Sequence, residues 1–126
     1  MNASGGCEAA VTARVRTGWV KFKECGELLN SKRFSLKMKG MIYRKCVRSA
    51  MLFGSQTWCL RENEMEILRW TERTMVRAMC SAKLMEKNKN FLMEMLELKE
   101  SVVQMVKVNR VRWYRHVLRR DDGHVL

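Results

Sequence analysis

A chain of 126 residues has room for one domain, or for a piece of one. With 47% hydrophobic residues it can build a core, which excludes a wholly disordered chain. Its 25 basic against 13 acidic residues leave a net charge of +12, which bears on polyanionic partners and says nothing about fold.

The chain has no proline and 11 methionines. Freedom from proline suits helices, whose interiors it breaks. Methionines at helical spacing are more often core filler than a binding surface. The five cysteines are Cys7, Cys25, Cys46, Cys59 and Cys80, odd in number and far apart. That pattern argues against a secreted disulfide framework and for reduced thiols in an intracellular protein, nuclear or cytoplasmic. The N-terminus MNASGGCEAAVTARV lacks the apolar core of a signal peptide, and no apolar run reaches spanning length. Neither secretion nor a membrane partner is expected.

Residues 1–6 are small and polar and are expected to be a disordered start. From Cys7 to about Leu29 the pattern is helical, with Val11, Val15, Trp19, Phe22 and Leu29 to one side and Gly18 and Gly26 weakening it. A second helix is predicted from Ser35, its cap, to Gly54, its stop. Leu36, Gly40, Tyr43, Val47, Met51 and Gly54 form its apolar stripe; Lys37, Arg44, Lys45 and Arg48 fall opposite. Trp58 and Leu60 return the chain to the core. Asn63 is the expected cap of a third helix, to about Cys80, whose stripe of Met65, Leu68, Met75, Val76 and Met79 contains one polar intruder, Glu72. A polar linker precedes a short helix from about Phe91 to Leu98.

The last patterned segment, Ser101 to Arg120, contains no Asp or Glu. At about 100° per residue, Val103, Val106, Arg110, Trp113, Tyr114 and Val117 share one side of it. Arg112, Arg115 and Arg119 occupy the other. The first face asks for a protein core, the second for a polyanion or water. Asp121 to Leu126 reads as a polar tail.

Four blocks, RVRTGWVKFKECGELLNSK, LKMKGMIYRKCVRSAMLFGSQTW, EMEILRWTERTMVRAMC and NRVRWYRHVLRRDD, stand in this order along the chain. Together they resemble the C-terminal part of non-LTR retrotransposon (LINE-type) reverse transcriptases. The family pattern there is approximately a KxxxY…R…LYGSETW block, a helix with L…E…ML/VR…CG, and RLRWxGHVxRR. The resemblance covers most of the chain. It implies a helical, thumb-like segment downstream of the palm that contacts a template–primer duplex, with an upstream polymerase domain in an intact parent protein. The chain departs from the pattern at Gln56, Ser81, Glu97 and Arg115, the last three standing where the family has glycine. These changes point to a truncated, diverged copy.

The family's catalytic aspartate pair lies elsewhere. The only aspartates here are Asp121 and Asp122, at the end of a basic helix, so no two-metal polymerase site is expected. No cysteine or histidine spacing matches a structural zinc site, and no P-loop, dinucleotide fingerprint or nucleophile elbow is visible. The expectation is therefore a chain that is not an enzyme, with no catalytic residues, no metal, no cofactor and no small-molecule substrate.

Basic faces without acids suit phosphate neutralisation with little sequence readout. The competing reading is a solvated charged face; composition leaves the two even, and the resemblance favours nucleic acid. Trp113 and Tyr114 could stack on bases, but their place beside Val106 and Val117 favours core packing. Glu72 and Arg110 are each polar within an apolar stripe, and pairing them is the simplest way to satisfy both.

The sequence thus predicts an all-α fold, a single small bundle of four to five helices over residues 7–120. Its core is expected at Trp19, Phe22, Tyr43, Val47, Met51, Trp58, Leu68, Met75, Met79, Val106, Trp113 and Val117. The predicted function is a non-catalytic nucleic-acid-binding segment using Lys37, Arg44, Lys45, Arg48, Arg112, Arg115 and Arg119, with Glu72 and Arg110 as a structural ion pair. The alternatives are a helical protein-interaction module and a non-functional mobile-element remnant.

Overall fold

The structure, a computed structural model, describes residues 3–58, 61–80 and 88–125, with side chains described over 8–58, 61–80 and 88–120. Every regular element among the described residues is helical, so the fold is all-α. The expectations placed on Cys59, Leu60, Ser81 and Lys87 fall outside the described residues; the rest of the expected Lys87–Asn90 linker is the cap and first turn of a helix.

Helix α1 spans Ala3–Glu24 and so begins before Cys7. It breaks at Cys25, and α2, Gly26–Leu29, adds one turn. The break falls beside Gly26, a residue that helices hold poorly. Ser35 then opens α3, Leu36–Ile42, its Oγ accepting the Met38 N–H at 3.2 Å. The helix changes character at Tyr43–Arg48, which is π-helical, and returns to α in α4, Ser49–Met51. Gly54 stops it in the left-handed conformation at φ 77°, where a side chain would be strained. A 3₁₀ turn, Ser55–Thr57, follows.

Helix α5 spans Glu62–Met79, with Arg61 rather than Asn63 in the cap position. Glu62 and Glu64 sit in its first turn, where the exposed N–H groups favour negative charge. Asn88 caps α6, Lys89–Met95, its Oδ1 accepting the Phe91 N–H at 2.8 Å. Helix α7 spans Val102–Val125, past the point where a polar tail was expected. Ser101 and Gln104 start it reciprocally: the Gln104 N–H donates to Ser101 Oγ at 3.2 Å, and the Ser101 N–H donates to Gln104 Oε1 at 2.8 Å.

Two buried clusters form the core. One joins Phe22, Leu29, Tyr43, Val47, Met75, Met79, Leu92 and Leu96; the other joins Val11, Val15, Met51, Trp58, Leu68, Val102, Val103 and Val106. Trp19 packs against both and meets Phe22 edge to face at 5.5 Å. Each fully buried aliphatic side chain here contributes about 1.5–3 kcal/mol of transfer free energy. Gly40 sets how closely α3 approaches the end of α6: a Cβ there would lie 1.8 Å from the Leu96 carbonyl oxygen.

Candidate nucleic-acid interface

The charged residues of the two basic helices do not share one fate. Lys37, Arg44 and Lys45 are exposed on α3 and the π-helical segment. Lys37 Nζ lies 3.8 Å from Glu97 Oε1, with both side chains mostly in solvent, so this pair adds little stability. Arg48, expected beside them, is instead 2% exposed and turned into the protein. The π-helical segment is the cause. In an α-helix, residues five apart differ by about 140° around the axis. The wider i→i+5 turn brings residue 48 round onto the side of residue 43, and Tyr43 and Arg48 face the same partner.

That partner is Glu72, fully buried in the α5 stripe. Arg48 Nη2 donates to Glu72 Oε2 at 2.7 Å, and the Tyr43 hydroxyl donates to the same oxygen at 2.9 Å. The other oxygen, Oε1, accepts the Val102 N–H at 3.0 Å and lies 3.7 Å from Lys89 Nζ. One carboxylate thereby ties the π-helical segment, α5, α6 and the first turn of α7. Arg48 also lies over the Tyr43 ring, 5.3 Å from its centroid, and points Nη1 at Met105 Sδ, 3.0 Å away. Burial disfavours the Arg48 charge, but Glu72 and Tyr43 together outweigh burial and leave the guanidinium pKa raised. Burial, reinforced by Glu72, pushes the Tyr43 phenol well above its ordinary range. Burial pulls Lys89 down, against the opposing pull of Glu72.

The predicted Glu72–Arg110 pair is therefore corrected. Glu72 does take a buried guanidinium, but from Arg48; Arg110 is exposed on α7. Nor do Trp113 and Val117 belong to either core cluster. Helix α7 packs on α5 and the Ser55–Thr57 turn. Val102, Val103 and Val106 are buried. Beyond them the helix leaves the bundle, and the same face runs on into solvent. Trp113 is 40% exposed and Tyr114 is 60% exposed, their rings meeting edge to face at 6.5 Å.

The distal part of α7 is consequently a charged arm. Arg110, Arg112, Arg115, Arg119 and Arg120 are all exposed, as is His116. Among the described residues none of Arg112, Arg115 and Arg119 is held in an ion pair. The α3 patch of Lys37, Arg44 and Lys45 is a separate surface. It borders a shallow groove lined by Ser35, Met38, Met41 and Leu96. No hydrogen bond or ion pair joins the two patches among the described residues.

Two basic residues escaped the sequence reading. Lys39, 8% exposed, donates from Nζ to the Met79 carbonyl at 3.3 Å and so satisfies the end of α5. Arg14 reaches from α1 to the Ala50 carbonyl and lies over the Phe53 ring, 5.4 Å from its centroid. The hint for Lys39 was its place next to Gly40 in the apolar stripe. Arg14 gave no comparable signal.

Among the described residues, no group of three or more His, Cys, Asp or Glu side chains could hold a metal ion. No helix among them is long and apolar enough to cross a membrane. No family model, curated protein or solved structure matches the chain.

Proposed function

We propose that the chain is a non-catalytic nucleic-acid-binding helical segment, related to the C-terminal region of a non-LTR retrotransposon reverse transcriptase. It grips the backbone of a DNA or RNA duplex with Arg112, Arg115 and Arg119 of α7, and with Lys37, Arg44 and Lys45 of α3 and the π-helical segment. Arg48 is withdrawn from this set because it holds Glu72. The carrying observation is the exposed stretch 110–120 of α7, which presents arginines and contains no Asp or Glu. Such a stripe neutralises phosphates and reads shape rather than sequence. The setting is intracellular, nuclear or cytoplasmic, and the parent protein carries its polymerase domain upstream.

The test is duplex binding followed across salt concentration. Affinity should fall steeply with salt, and the triple change Arg112→Gln, Arg115→Gln and Arg119→Gln should flatten the log–log slope by roughly one per arginine. An affinity indifferent to salt, or a slope unmoved by the triple change, overturns the reading.

One observation favours a second reading, a protein-interaction module. The arm also exposes Val111, Tyr114 and Leu118, spaced at three and four residues as in a helix that seats in a groove. A saturable protein partner with no duplex shift would establish it in place of the first.

A further inference from the structure

Over residues 110–116, about two turns of α7, every side chain is exposed, so the helix there has no covered side. The other basic surface differs: Lys37, Arg44 and Lys45 are exposed, but Gly40, Tyr43, Val47 and Arg48 bury the opposite side of the same segment. Counting about 100° per residue from Lys107, the exposed Val111, Tyr114 and Leu118 form a strip within an arc of about 60°. Arg112, Arg115 and Arg119 stand about 80–140° to one side of Lys107, and Arg110 and Arg120 about 60–140° to the other. Lys107 lies at the root of the strip. Among the described residues none of these six cations is held in an ion pair. The arm is thus a rod with an apolar leading edge and arginines on both flanks.

We propose that this arm seats in the major groove of B-form DNA and selects it over A-form duplexes, whether RNA or an RNA–DNA hybrid. The proposal rests on the nucleic-acid reading and names the duplex that reading leaves open. A single row of phosphates can engage only one flank of the arm. A groove walled by phosphates on both sides engages both flanks and receives the strip toward its floor. A helix with its side chains is about 10–12 Å across, and the B-form major groove is about 12 Å wide. Its floor carries thymine methyl groups, an apolar surface for Val111 and Leu118. The A-form major groove is deep and too narrow for side chains to read, and the A-form minor groove is wide and shallow, so a helix laid there meets one wall at a time. Arg112, Arg115 and Arg119 neutralise one wall of the B-form groove, and Arg110 and Arg120 the other. The patch of Lys37, Arg44 and Lys45, one-faced, adds backbone contacts outside the groove.

The full chain is titrated, at one salt concentration, against short duplexes of one sequence made as DNA, as RNA and as the hybrid. DNA should bind at least about tenfold more tightly than either A-form duplex. Dimethyl sulfate footprinting on the DNA complex should show protection at guanine N7, which faces the major groove, and none at adenine N3, which faces the minor groove. Arg110→Gln combined with Arg120→Gln should flatten the log–log salt slope by roughly one per arginine, as the triple change on the opposite flank does. DNA affinity no higher than that of the A-form duplexes, protection at adenine N3 in place of guanine N7, or a slope unmoved by the Arg110 and Arg120 changes overturns the groove assignment, while salt-dependent duplex binding keeps the nucleic-acid reading. Absence of salt-dependent binding to every duplex overturns both.

Discussion

The two ends of α7 share one amphipathic pattern and meet opposite environments. Val102, Val103 and Val106 close against α5 and the Ser55–Thr57 turn; Trp113 and Val117, about two and three turns beyond Val106 along the same face, lie outside both core clusters. Periodicity assigns residues to a face of the helix. It does not say how far the covering layer extends. Here the cover ends shortly after Val106, so aromatic residues that would have been core become surface, beside arginines that are free of ion pairs among the described residues. The proximal end is structural because Glu72 takes its first N–H; the distal end is available for a partner.

The largest effect should come from cutting that proximal tether. Glu72→Ala leaves the Arg48 guanidinium buried without its carboxylate and frees the Val102 N–H. Removing one partner of a buried pair costs about 3–5 kcal/mol, which chemical denaturation would register as a marked fall in the unfolding midpoint. Glu72→Met combined with Arg48→Met should recover most of the loss, because no charge is then left unpaired. If Glu72→Ala alone were nearly neutral, the tether would not organise the bundle and the comparison would collapse.

Next in size is Val106→Ala, at the last covered turn of α7. Val106 is fully buried, and deleting its methyl groups should cost about 2 kcal/mol of lost transfer and cavity free energy. A loss near zero would move the end of the cover back toward Val103.

Tyr43 offers a smaller and pH-dependent effect. Its folded-state pKa is raised above the ordinary 10.0, by burial first and Glu72 second. The folded state therefore holds a proton that the unfolded state releases above that value. Its contribution is complete below pH 10.0 and declines as pH rises further. Tyr43→Phe should cost about 1.5 kcal/mol near neutrality, the lower end of the worth of a hydrogen bond to a charged group, and the deficit should narrow in alkaline solution. A gap between the two proteins that stays constant up to strongly alkaline pH would refute the assignment.

The helical class was legible because apolar residues recur at three and four along each element and no proline interrupts them. Caps were legible where a side chain of the right type stood alone before a stripe, as at Ser35. Asn63 misled because the backbone entered the helix two residues earlier, at Arg61. The polar intruder Glu72 correctly signalled a buried pair. Its partner was hidden, since assigning Arg48 to the outer face assumed a constant 100° per residue, and the π-helical segment breaks that rule. Arg110 looked inward for a different reason: nothing local in the sequence marks where a bundle stops.

The smallest expected effect is also the sharpest probe of that boundary. Trp113→Ala in a packed core would cost about 3–5 kcal/mol, whereas an exposed site should change stability by no more than about 0.5 kcal/mol. The two values are too far apart to confuse in a denaturation experiment. Near-neutral Trp113→Ala beside a costly Val106→Ala would place the edge of the bundle between the two residues. It would also leave Trp113 free to be tested for stacking on bases: with stability unchanged, any loss of nucleic-acid affinity in the variant would belong to the contact itself, about 1–3 kcal/mol for one stacked base. A destabilised Trp113→Ala would instead mean that α7 stays covered beyond Val106 and that the arm is part of the core.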